Sequence, residues 1–181
     1  MYIAEWKAAA LPPPEEQLRE AREKWEKQIQ QDIRTVERLQ FSEHIFFGGL
    51  FIMVLPDSLL EEKEELAQGE LFYSHKEKVA LAIRLVEDAP TLEPDKLKAD
   101  YTARMKSSGQ QTGIEEDGTV EAQIGTIYYF LASHAMPGEK QYDYVFLFSA
   151  QRHTVIMDFS FHEPEMMLWK TMLYRLIKTI R

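Results

Sequence analysis

His44, His75, His134, His153 and His162 are the side chains with the most chemistry to offer, because imidazoles bind metals and carry protons near neutral pH. They stand singly, without the short spacing that sets two metal ligands on one element. If residues 152–162 form one strand, His153 points away from Asp158 and His162. Those two are then about 13 Å apart at about 3.3 Å per residue, too far to share an ion. Serine chemistry needs a base in reach and a turn that presents the hydroxyl, and no G-x-S-x-G occurs. Ser133 and His134 are neighbours on a predicted strand and so point to opposite sides. Neither G-x-x-x-x-G-K-[ST] nor G-x-G-x-x-G is present, so no nucleotide phosphate has a recognisable cradle. Gly48, Gly49 and Ser108 read as turn residues. Glu115, Glu116 and Asp117 could act as paired carboxylates, but they flank an expected turn at Asp117-Gly118, where acids are simply soluble. Tyr128, Tyr129, Tyr142 and Tyr144, with Phe130, Phe146 and Phe148, suit a ligand groove or, more ordinarily, cross-strand packing in a core. The residues therefore call for no catalytic centre, no cofactor and no metal.

Whatever positions these side chains must be one domain-sized core. At 181 residues, with 45% hydrophobic and 28% charged, the chain should bury roughly 70% of its unfolded surface. A formal net charge of −9 repels phosphate backbones and anionic headgroups, so nucleic acid and membrane surfaces are not expected partners. The absence of cysteine removes thiol catalysis, disulfides and thiolate metal sites together. Residues 1–7 carry Glu5 and lack the basic-then-apolar pattern of an export signal. The apolar run at 50–55 falls far short of the roughly 20 residues a bilayer crossing needs. A cytoplasmic location is the expectation.

Pro12-Pro13-Pro14 followed by Glu15 and Glu16 suits a helix start. Leu18, Ala21, Trp25, Ile29, Ile33, Val36 and Leu39 then draw one apolar stripe at three- and four-residue steps. Such a helix lies on the domain or binds a partner, including a second copy of the chain. Gly48-Gly49 between apolar, β-prone runs predicts a hairpin whose second strand stops at Pro56. Ser58 and Glu61 have capping-box spacing, which predicts a short helix carrying Glu61, Glu62, Glu64 and Glu65. Residues 71–74 and 79–86 read as strands, the second apolar on both faces and hence expected to be covered twice. Leu97, Tyr101 and Met105 mark another helix, ending near Gly109. Three or four strands follow as an antiparallel meander, with a turn at Met136-Pro137-Gly138-Glu139. A last helix opens at His162-Glu163-Pro164-Glu165, and Met166, Trp169, Met172, Leu173, Leu176, Ile177 and Ile180 must face the sheet.

The segment Phe46-Phe47-Gly48-Gly49-Leu50-Phe51, running into Leu55-Pro56-Asp57-Ser58-Leu59, resembles the opening of the Mog1/PsbP/DcrB fold group. The element order that follows is also similar, from Gly48 to Arg181. The resemblance implies a sheet sandwiched by helices and a role in binding rather than catalysis. The group includes a Ran-binding protein, a photosystem II extrinsic subunit, a bacterial envelope protein and secretion-effector chaperones. Its acidic Ran-contacting segment has no counterpart where this chain reads Ala67-Gln68-Gly69-Glu70, so Ran is not carried over as the partner.

The expectation is thus an α+β domain over residues 43–181, an antiparallel sheet of six or seven strands flanked by helices. Residues 1–42 form a helical N-terminal extension. The expected function is non-enzymatic protein binding, as an adaptor or chaperone-like partner, through Glu61, Glu62, Glu64 and Glu65, with homodimerisation through the N-terminal helix as a further possibility. The alternative is an apolar small-ligand binder of the START-like helix-grip type. A helix at 94–108, between strand pairs, argues against it.

Overall fold

The computed structural model describes residues 15–87, 93–136 and 138–181. The triple proline at 12–14, Pro90 and Pro137 lie outside that set. The chain divides into two units, Met1–Arg38 and Leu39–Arg181. In the first, α1 spans Glu15–Arg38 and is laced by side-chain pairs one turn apart, including Arg22 to Glu26 at 3.0 Å and Gln28 to Asp32 at 2.8 Å. Trp25 on the predicted apolar stripe is 64% exposed, and Val36 is exposed too.

The second unit opens with a hairpin of β1 (Phe41–Phe46) and β2 (Phe51–Pro56). Its register pairs Phe46 with Phe51, so the loop holds four residues rather than the two glycines alone. Phe47, Gly48 and Gly49 take φ of 49°, 68° and 99°, and the glycines make this left-handed run affordable. The remaining strands are β3 (Glu62–Leu66), β4 (Gly69–Ser74), β5 (Val79–Glu87), β6 (Thr112–Ala122), β7 (Gly125–Met136), β8 (Glu139–Ala150) and β9 (His153–His162). They form one antiparallel sheet in the order β3-β4-β5-β9-β8-β7-β6. Helix α2 (Pro94–Ser107) falls between β5 and β6, and α3 (Met166–Leu176) follows β9.

Alternation along the strands divides the sheet into two unequal faces. On one face Leu81, Tyr144, Phe146, Phe148, Met157 and Phe159 pack with Trp169 and Leu173 of α3 and with Phe51, Met53 and Leu55 of the hairpin. The chain's last residue completes this layer, because Ile52 and Arg181 exchange backbone hydrogen bonds at 2.9 and 3.1 Å. On the other face a smaller cluster of Phe130, Ala132, Val145, Leu147 and Ile156 lies with Tyr101 of α2.

Two sequence expectations are corrected here. Asp117-Gly118 is no turn but the middle of β6, paired with Phe130 and Tyr129, and the irregularity in that strand is a bulge between Ile114 and Glu116. Pairing along the whole length of β7 outweighs a local dipeptide signal, and Gly118 leaves room for the Tyr129 ring, whose hydroxyl would stand 2.9 Å from an added Cβ. Strand β5 is buried on one face only. Val79, Leu81 and Ile83 are buried, whereas Ala80, Ala82 and Arg84 are half-buried and Val86 is exposed, because α2 covers the other end of the sheet.

Candidate functional site

The expected helix after Pro56 is a second point of correction, and it reshapes the acidic surface. Asp57–Leu60 makes a single 3-10 turn anchored by buried Leu59, and the chain then extends as β3. Glutamates favour helix intrinsically, but five backbone pairings with β4, from Glu62 opposite Tyr73 to Leu66 opposite Gly69, override that preference. The turn into β4 depends on Gly69, since a Cβ there would sit 2.0 Å from the Ile83 carbonyl oxygen. Glu61 lies in the bend before β3, Glu62 and Glu64 alternate to one face of the strand, and Glu65 points to the other. All four, with the rest of residues 61–68, are exposed. Lys63 bonds Glu70 and lies over the Phe72 ring at 5.9 Å, while Glu62 stands 3.4 Å from His75. Strand β3 is the first of seven and pairs within the sheet only with β4. Among the described residues its outer side has no strand paired to it, and it is bordered by carboxylates.

A second convergence of polar groups was not foreseen. His134 on β7 donates from Nε2 to Asp143 Oδ2 on β8 at 2.8 Å, and Tyr101 of α2 donates its hydroxyl to the same oxygen. The Tyr101 oxygen is also 2.8 Å from His134 Nε2, and His134 Nδ1 meets Thr112 Oγ1 at 3.0 Å. Ser160 of β9 donates to Asp143 Oδ1 at 2.7 Å. Burial alone would raise the Asp143 pKa, but the bonds from His134, Tyr101 and Ser160 outweigh it and hold the carboxyl below its ordinary value. Burial first, then the Asp143 charge, pushes the Tyr101 phenol well above its ordinary range. Asp158, also on β9, is pushed up to about 8 by burial and then by Asp143, against the pull of Arg84 and Arg104. A tyrosine, a histidine and a carboxylate in one chain of bonds could relay protons. His134 and Asp143 are only 2% and 4% exposed, so the chain of bonds is closed to solvent and ties β7, β8, β9 and α2 together. The sequence did hold a signal for it: Asp143 and Asp158 are acids set in the strongly apolar runs at 142–148 and 154–159.

The other candidates stay apart. His44 faces Asp57 at 3.2 Å and His162 faces Glu139 at 3.3 Å, each in a different part of the chain from His75 and His134. Among the described residues no three metal-ligating side chains converge. Glu115 and Glu116 sit on β6 with separate partners. Glu115 accepts from Ser133 at 2.6 Å and faces Lys140, while Glu116 pairs with Lys170 of α3. The Ser133 bond, then the Lys140 charge, lowers the Glu115 pKa against its burial. The space beneath α3, where a helix-grip protein would hold an apolar ligand, is filled by Trp169, Leu173, Tyr144, Phe146 and Phe148, all fully buried. Tyr128 and Phe130 do border an open groove of about 320 Å³ against Leu97 and Lys98 of α2.

A seven-stranded antiparallel sheet with α3 and a hairpin on one face and α2 on the other defines a Mog1/PsbP-like α+β sandwich. The chain superposes on the Ran-binding protein Mog1p of Saccharomyces cerevisiae with a TM-score of 0.60 at 12% identity, covering 79% of this chain and 95% of that one. A structure of a Mog1 mutant matches equally, with a TM-score of 0.60, 9% identity and coverage of 79% and 96%. PsbP of the cyanobacterium Synechocystis gives a TM-score of 0.62 at 8% identity, over 79% of this chain and 92% of that one. At these identities the likeness is one of fold. No protein-family model and no curated protein matches the sequence.

Proposed function

We propose that the chain is a non-enzymatic protein-binding domain, acting in the cytoplasm, whose partner presents a basic, extended segment to the acidic edge strand β3. The observation that carries this reading is the edge itself: Glu62–Leu66 is exposed along its full length, joined to the sheet on one side, and flanked by Glu61, Glu62, Glu64 and Glu65. An added strand gains backbone hydrogen bonds, and charge complementarity sets its sign. The Mog1p likeness supports a binding role, since that protein is a Ran-binding protein, without naming the partner here.

A decapeptide of alternating lysine and valine tests the reading. It should bind in a salt-dependent manner and perturb the β3 and β4 backbone amides in NMR spectra. A glutamate-valine peptide should not bind, and N-methylation on alternate residues of the basic peptide should abolish its binding. Lysine at 61, 62, 64 and 65 together should remove binding with the melting temperature unchanged. Amide shifts elsewhere, or binding indifferent to N-methylation, would overturn the assignment.

A second, separate reading concerns α1. Trp25 is 64% exposed on an amphipathic helix, which favours self-association of that helix in a homodimer. Sedimentation should show a dimer that Trp25→Glu converts to a monomer. A monomer at all concentrations would remove this reading.

A further inference from the structure

We propose that β3 reads its partner in one register, taking a segment with cations opposite Glu62, Glu64 and Glu65 and an apolar side chain opposite Leu66. This rests on β3 being the binding edge and adds the order of residues that the edge selects. A strand laid beside β3 runs about 4.8 Å away and sets each side chain directly opposite one of β3's, with Cβ atoms about 4.5–5.5 Å apart. The side chains of β3 therefore act as a template. Glu62, Glu64 and Leu66 share the sheet face of Leu71, Ala80 and Ala82, whereas Lys63 and Glu65 share that of Phe72 and Ile83. Lys63 bonds Glu70, which stands opposite Glu65 in the register of β3 and β4, so one lysine serves two carboxylates there. Cations opposite 62, 64 and 65 thus meet carboxylates, and a cation opposite Lys63 would meet a like charge.

Leu66 marks where the cationic pattern stops. It is 39% exposed, and its partner across the ladder is Gly69, which carries no side chain to cover it. No other residue fits at 69, since a Cβ would stand 2.0 Å from the Ile83 carbonyl oxygen, so the gap is fixed by the fold. It opens as a hollow of about 620 Å³ at the end of β3, whose lining includes Phe47, Leu66, Leu85 and Val86 together with Glu65 and Glu70. Val86 is 40% exposed there. An apolar side chain opposite Leu66 removes both from water, while its cationic neighbours in the segment reach the carboxylates. Along the partner the order is apolar, cation, cation, neutral, cation for an antiparallel addition, and the reverse for a parallel one.

Decapeptides of one composition, flanked by glycine and serine, test the proposal on the whole chain. Their cores are phenylalanine-lysine-lysine-serine-lysine, the reverse of that order, and lysine-phenylalanine-lysine-serine-lysine. One of the first two should bind about tenfold or more tighter than the third and shift the Leu66 and Val86 methyl signals in NMR spectra. Leu66→Ser should remove that preference, with the affinity for the third peptide and the melting temperature unchanged. Equal affinity for all three, while the lysine-valine decapeptide still binds at β3, would overturn the register and leave β3 as the binding edge. A preference that persists in Leu66→Ser would overturn it as well. Binding by none of the peptides, the lysine-valine one included, would overturn both the register and the edge.

Discussion

Asp143→Ala lowers the unfolding free energy by about 3–5 kcal/mol, because it strands the Tyr101 hydroxyl, the His134 imidazole and the Ser160 hydroxyl without their shared acceptor. Truncation of a surface acid such as Glu61 costs within about 0.5 kcal/mol by comparison. In urea titrations the Asp143 variant should unfold at clearly lower denaturant, with a melting temperature lower by about 10 °C. The cost belongs to a network and not to one bond. Asp143→Ala and His134→Ala together should therefore cost less than their sum, with a coupling of about 0.5–3 kcal/mol. A loss below about 1 kcal/mol for Asp143→Ala would mean that water replaces the carboxylate without penalty.

Asp158→Asn should stabilise the protein at alkaline pH and do so less in acid. In the unfolded chain Asp158 ionises near its ordinary value of 3.8, whereas in the folded protein burial and Asp143 hold it up to about 8. Between those values the folded state binds the extra proton, so stability falls as pH rises. The slope from this one group is at most about 1.4 kcal/mol per pH unit. Above about pH 8 both states are ionised and the penalty is complete. Asp143 acts with the opposite sign. Its lowered pKa contributes stability above the unfolded value near 3.8, and that contribution disappears as pH falls through the lower folded value. Thermal unfolding of both chains from pH 5 to pH 9 isolates the Asp158 contribution as a difference. The variant should gain about 5 kcal/mol over the unsubstituted chain at pH 9 and about 2 kcal/mol at pH 5. Parallel curves would show that Asp158 is already wet in the folded state.

The acidic run shows how local and long-range preferences compete. Ser58, Glu61, Glu62, Glu64 and Glu65 carry every local mark of a capped helix, yet residues 62–66 are a strand. Only the sheet supplies the partner, β4, whose pairings turn the preference over. The functional consequence is large, since a helix face and a sheet edge recognise partners of different shape. The polar cluster shows the same limit in another form. His134, Asp143, Asp158 and Tyr101 come from four elements, and no spacing along the chain relates them.

Periodicity and turn residues were sufficient for the hairpin after Phe46, the strands β7 to β9, the helix at 94–107 and the apolar face of α3. These are local matters, because the side-chain period of a strand or a helix is written in consecutive residues. Strand order, the edge position of the acidic strand and the gathering of Asp143, Arg84 and Arg104 around Asp158 were decided only by the tertiary structure. Pairing free energy and desolvation act between residues far apart in sequence, so they exist only once the chain has folded.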